Sequence, residues 1–268
     1  MLNKLRQRNK SNDRSPAGTA QPGATAPVRR FERKFFILPK NIGFARSLLR
    51  QFCRPDREYP ESTVTSLYFD TLDLDQYNLS ASGDFNKDKV RIRWYDEESV
   101  TGDTIPVYIE LKTRHGFASS KQRRRIIVPV SDREIPRLGK GIIPATLLKN
   151  TMAEFGYFPE QPLRPVIKIS YRRYRFNEML TGTRVSLDHS IHSTMIAPDL
   201  GHRKGEARLA GGVIEVKGPS MELPVTLRKM TVLDTDWSRY SKYGNCIDSH
   251  LSFPGSAAGF SPSGKILE

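Results

Sequence analysis

Apolar and polar residues alternate with a period of two along much of this chain, predicting strands near 29–38, 63–69, 87–95, 105–113, 121–130, 165–177, 183–189 and 211–217. Three helices interrupt them. The first starts near Asn41, sets Ile42, Ala45, Leu48, Leu49 and Phe52 on one face, and stops before Pro55. A short second helix falls near 73–80, with Asp70 placed ahead of it as a cap. The third, near 144–155, gathers Leu147, Leu148, Met152 and Phe155 and ends at Gly156, a suitable C-terminal cap. A fourth helical stretch is expected from Glu222 and Pro224 through Leu227, Met230 and Leu233. Eight strands with few long helices favour an antiparallel sheet or closed barrel over a doubly wound α/β fold.

The polar faces of these strands are almost purely ionic. Lys87, Lys89, Arg91 and Arg93 oppose Val90, Ile92 and Trp94; Glu110, Lys112 and Arg114 oppose Val107, Ile109 and Leu111. Glu32 and Lys34 oppose Phe31, Phe35 and Ile37, Arg184 and Asp188 oppose Val185 and Leu187, and Glu215 and Lys217 oppose Ile214 and Val216. Two geometries produce such a pattern. A sheet can pack its apolar face on a core and show its charges to water, the commoner arrangement for any single strand. Alternatively, it closes into a barrel with charges inside and helices over its apolar exterior. In the second case, Lys34, Lys89, Arg91, Arg93, Lys112, Lys121, Arg173, Arg184 and Lys217 face inward against Glu32, Glu110, Asp188 and Glu215. Such crowding of like charge is unfavourable alone and becomes sensible around a multiply charged anion with a divalent cation.

Net charge points the same way. Lys and Arg number 43 against 29 Asp and Glu, a formal balance of +14, which favours polyanionic partners without choosing among them. Residues 1–28 read as a disordered basic leader, 29–250 as one domain and 251–268 as a flexible tail. Cys53 and Cys246 fit no metal or redox spacing and suit reduced thiols in the cytoplasm. No apolar run is long enough for a transmembrane helix. His189 and His192 are expected in a solvated loop. Arg123–Arg125 lacks the interleaved aromatic residues of a nucleic-acid surface and is read as a solvated or phosphate-facing strand, so no sequence-specific nucleic acid is expected.

The segments FERKF, VTSLYFDT, KVRIRWY, YIELKTRHG, KQRRR, ISYRRYRF, TRVSLD, VIEVKG and RYSKYGNC follow one another in this order. Together they resemble the VTC domain, the polyphosphate polymerase branch of the triphosphate tunnel metalloenzymes, over about residues 29–248. The resemblance implies an α+β, mainly β fold: an eight-stranded antiparallel closed β-barrel with helices packed on its outside. It implies ATP or another nucleoside triphosphate and inorganic polyphosphate as ligands, with Mn2+ or Mg2+ as cofactor. Phosphate contacts then fall to Lys34, Arg91, Arg93, Lys112, Lys121, Tyr171, Arg173 and Arg184, with Lys89 and Lys217 beside them. Ser241 and Lys242 match the family's closing element, whose lysine reaches the phosphates; Lys242, Arg91, Arg93 and Arg173 are the catalytic candidates. Glu215 matches the metal-holding carboxylate, with Glu110 and Glu32 as further candidates, although each also suits a simple ion pair.

Many tunnel phosphatases and cyclases carry Glu-x-Glu-x-Lys on their first strand, and here its first position is Arg30. That departure favours the polymerase branch. The alternatives are a triphosphate or polyphosphate hydrolase of the same fold and a non-catalytic polyphosphate-binding module. The eukaryotic polymerases also carry an SPX-type sensing domain and membrane helices, which the present residues lack, so the regulator and any membrane-associated partner stay unassigned.

Overall fold

A computed structural model describes residues 31–95, 104–116, 118–129, 142–200, 205–233, 235 and 240–251. The predicted leader and tail thus lie outside the described residues, apart from Leu251. Ten strands form one antiparallel sheet: β1 (Phe31–Ile37), β2 (Cys53–Pro55), β3 (Glu61–Asp70), β4 (Asn86–Tyr95), β5 (Thr104–His115), β6 (Ala118–Pro129), β7 (Arg164–Glu178), β8 (Arg184–Met195), β9 (Glu206–Arg208) and β10 (Gly212–Gly218). Among the described residues, four α-helices accompany them: α1 (Ile42–Phe52), α2 (Asp75–Ala81), α3 (Ala145–Glu154) and α4 (Lys242–Leu251). All eight expected strands are present, in the order β1-β10-β8-β7-β3-β4-β5-β6, with β2 added to β7 and β9 to β8.

The expectation of a closed barrel is corrected. The ladder ends at β1 and β6, and among the described residues those two strands exchange no backbone pairing. The sheet nevertheless curls far round. Lys112 on β5 reaches Glu32 on β1 at 3.2 Å, although these strands stand near opposite ends of the ladder. Side chains bridge part of the gap that backbone hydrogen bonds leave open.

Alternation sets the two faces of this trough. On the convex face, Phe35, Ile37, Val185, Leu187, Ile214 and Val216 pack under α1 and a 3-10 segment, Val225–Leu233. That segment is the fourth helical stretch expected there, formed as a 3-10 helix that buries Leu227, Met230 and Leu233. Leu67, Ile92, Trp94, Val107 and Ile109 pack under α3, where Leu148 and Met152 are buried as its spacing requires. Gly156, at φ +74°, ends α3 with its N–H on the Ala153 carbonyl. Asp70 caps α2: its carboxylate accepts the N–H groups of Gln76 and Tyr77, each at 2.9 Å.

One further expectation fails. His189 and His192 lie within β8, not in a loop. The ring of His189 stacks on Tyr174 at 5.1 Å, and Ser190, at φ +52°, marks the place where the strand is irregular. Tyr240 and Ser241 lead into α4, a helix that the periodicity did not predict. That helix buries Tyr243, Cys246, Ile247 and His250 against Val64, Tyr68, Ile167, Ile169, Ile191 and Val213. Tyr68 follows Ser66, and Val213 precedes Glu215, at two-residue spacing, so α4 sits on the concave face beside the charged positions.

Candidate anion-binding site on the concave face

Three charged groups line the trough. The first surrounds Glu110, which has no solvent exposure. Both Nε and a terminal nitrogen of Arg91 lie 2.8 Å from its Oε2, and Arg93 approaches at 3.9 Å. On the other oxygen, Lys121 makes a close ion pair and Arg123 Nε lies at 3.5 Å. Register explains the convergence: Arg91 faces Glu110 across β4–β5, and Glu110 faces Arg123 across β5–β6. Strand β3 completes this group. Tyr68 Oη accepts from Arg91 at 3.0 Å, and Ser66 Oγ accepts from Arg93 at 3.0 Å. A terminal nitrogen of Arg93 donates to Tyr171 Oη at 3.4 Å.

The second group joins Lys34, Lys89 and Lys112, with Glu32 as the carboxylate between Lys34 (3.6 Å) and Lys112 (3.2 Å). Lys34 also donates to the Tyr240 carbonyl at 2.9 Å. Lys89 donates to Ser241 Oγ at 3.0 Å, and among the described residues no carboxylate stands within ion-pair distance of it. Burial, then repulsion from Lys34, Lys112, Lys87 and Arg91, holds the Lys89 ammonium well below its ordinary pKa. Burial acts the same way on Lys121, lowering it to about 8 although Glu110 pulls upward.

The third group is a buried carboxylate pair, Asp188 on β8 and Glu215 on β10. Arg173 grips Asp188 with two bonds of 2.6 and 2.7 Å and reaches Glu215 at 3.2 Å. Lys242, the first residue of α4, places Nζ 2.5 Å from Asp188 Oδ2 and 3.1 Å from Glu215 Oε1, 4.9 Å from the Tyr171 ring centroid. Lys217 adds a contact to Glu215 at 3.4 Å. Burial raises the Glu215 pKa, but Lys242, Lys217, Arg173 and Lys34 outweigh it and hold the group well below the usual carboxylate range.

The structure therefore brings most of the expected residues together. Arg184 stands apart: it is exposed at the start of β8, opposite Lys217 and Asn177. Glu32, Glu110 and Glu215 do not form one metal centre, since among the described residues no three acidic, His or Cys side chains cluster closely enough. Glu110 is enclosed by cations. By contrast, Asp188 and Glu215 direct oxygens at one point, where Lys242 Nζ now stands in as the shared cation, so a hard divalent ion suits this pair. Asp188 was absent from the candidate metal ligands. Arg123, on a strand read as solvated or phosphate-facing, joins Glu110. Ser66, Tyr68 and Arg175 were also missed, yet two-residue spacing from Arg173 marks Arg175, whose guanidinium donates to Ser62 Oγ at 2.6 Å.

Fold and site together define an antiparallel trough in which lysines and arginines outnumber the carboxylates among them. The profile of the VTC domain matches residues 29–251, and the chain belongs to this family. No curated protein matches significantly. Among solved structures, a candidate adenylate cyclase from Bacillus halodurans is 17% identical, with 77% of this chain and 90% of that one covered and a TM-score of 0.47. A Hippeastrum protein described as a candidate adenylyl cyclase with a dominant triphosphatase activity is 16% identical, covering 83% of this chain and 97% of its own, at a TM-score of 0.45.

Replacing Glu110→Gln leaves Arg91, Arg93, Lys121 and Arg123 without their shared counter-charge. A loss of about 3–5 kcal/mol in unfolding free energy is expected, as for a broken buried ion pair. Millimolar tripolyphosphate should raise the melting temperature of this variant more than that of the wild type. Thermal unfolding with and without the anion checks both effects.

Proposed function

We propose that the protein binds a nucleoside triphosphate and polyphosphate in the trough and, with a divalent metal, transfers the terminal phosphoryl group to a growing polyphosphate chain. The observation that carries the anion-binding part is Lys89: a half-buried ammonium crowded by Lys34 and Lys112, which donates to Ser241 and, among the described residues, has no carboxylate within ion-pair distance. An uncompensated charge in such a place is costly unless a ligand completes it. Phosphate oxygens are the complement. Family membership supports polyphosphate as the acceptor chain.

Phosphoryl transfer asks the protein mainly for alignment and charge stabilisation. Arg91 and Arg93 offer planar forks, kept in orientation by Glu110, Tyr68, Ser66 and Tyr171. Lys34, Lys89 and Lys112 supply compact charges that follow a phosphate chain as its charge shifts toward the leaving group. Asp188 and Glu215 would hold the metal, which supplies neutralisation of phosphate oxygens when bound.

A triphosphate or polyphosphate hydrolase is the second reading, and the seat of α4 favours it. By filling part of the concave face with Tyr243, Cys246 and Ile247, the helix shortens the run of that face open to a long product. The deciding experiment incubates the protein with ATP and Mn2+ or Mg2+, resolving polyphosphate on a gel and assaying free phosphate in parallel. A metal-dependent ladder supports the polymerase; phosphate release without a ladder selects the hydrolase. Tripolyphosphate binding without turnover leaves a binding module, and absence of binding overturns the reading. Glu215→Gln should cut turnover by at least about a hundredfold.

Affinity for tripolyphosphate should fall as pH rises from 7 to 9.5. The anion favours the ammonium forms of Lys121, whose pKa is about 8 in the free protein, and of Lys89, which is also lowered. Where these lysines have lost their protons, binding must first draw a proton from solution. Calorimetry in two buffers of different ionisation enthalpy should register proton uptake; pH-independent affinity with no uptake would contradict the assignment.

A further inference from the structure

Lys242 makes two incompatible contacts if it is only a phosphate ligand. Its ammonium lies between Asp188 Oδ2 at 2.5 Å and Glu215 Oε1 at 3.1 Å, with its side chain 9% exposed. A lysine so held has little to offer an anion. The same oxygens are those that suit a divalent ion, and one ammonium and one metal cannot share the point.

We propose that Lys242 is an exchangeable counter-ion: it occupies the divalent-cation position between Asp188 and Glu215 in the free protein and leaves it when a metal arrives with the phosphate chain. This rests on the anion-binding reading above and assigns to that site an order of events. Arg173 and Lys217 already balance the two carboxylates of the Asp188–Glu215 pair, so Lys242 is a third cation there. Its ammonium is therefore the one the pair can give up when a divalent ion takes the same oxygens, and the phosphate chain that comes with that ion supplies the negative charge to receive it.

The surroundings of Lys242 fit such an exchange. Its Nζ lies near the face of Tyr171, whose hydroxyl accepts from Arg93. Ser241, one residue earlier, accepts from Lys89. The freed side chain therefore borders both cation groups assigned to the phosphates. Meanwhile α4 itself is anchored independently. Tyr243 donates to Asp70 at 2.6 Å, and His250 shares a hydrogen bond with Ser193 at 3.1 Å. The exchange requires one side chain to move while the helix stays.

Two measurements on the full chain test this. Mn2+ is titrated into nucleotide-free protein and followed by electron paramagnetic resonance. Lys242→Met should bind Mn2+ at least about tenfold more tightly than the wild type, and equal or weaker binding would overturn the proposal. The second uses wild-type protein carrying 15N-labelled lysine, with the Lys242 ammonium signal assigned by its loss in Lys242→Met or, should that variant not fold, in Lys242→Arg. Mg2+ added to the tripolyphosphate complex should shift that signal; a signal unmoved by Mg2+ would show that Lys242 stays with its carboxylates and would equally overturn the exchange. Binding of tripolyphosphate itself, read in the same samples, tests the functional reading separately.

Discussion

Buried positive charge is the constraint on which the rest of this structure depends. A sheet can carry a row of lysines and arginines on its concave face only if each is answered by a carboxylate, by water or by a ligand. The chain answers most of them. Glu110 sits among Arg91, Arg93, Lys121 and Arg123, Glu32 between Lys34 and Lys112, and Asp188 with Glu215 between Arg173 and Lys242. Each carboxylate serves several cations, so the cations outnumber their partners and repel one another through shared neighbours. Lys89 is where this arrangement runs short.

The outer layers follow from that interior. With its concave face ionic, the sheet places its apolar residues outward and covers them with α1, α3 and the Val225–Leu233 segment. α4 is the exception, since it turns apolar residues into the trough and brings Lys242 to the carboxylates. Asp70 ties this exception to the scaffold: one side chain caps α2 and accepts the Tyr243 hydroxyl. A residue that reads as an ordinary helix cap is thereby also an anchor for the element that closes the site.

Most of the fold was legible because period-two alternation is a strong signal wherever one face is apolar. The eight long strands showed it, and α1 and α3 showed the three-to-four-residue spacing of a buried helix face. What failed lay where a local pattern does not encode a partner. Sheet closure depends on pairing between β1 and β6, and neither strand's sequence says whether the two edges meet. Helix α4 was missed because Tyr243, Ile247 and His250 read as an unremarkable mixed segment until the apolar part of the concave face is known. The cation positions were readable by parity alone, whereas the metal pair was not: Asp188 and Glu215 belong to adjacent strands, and only their register unites them.

The most direct test of the account is calorimetric titration of tripolyphosphate into the wild type and Lys89→Met, with Lys149→Met on the exposed side of α3 as the control. Loss of the uncompensated ammonium should weaken binding by at least about tenfold, while the control binds as the wild type does. Equal affinity in all three proteins would contradict the claim that the trough's unbalanced charge is there to hold a phosphate chain.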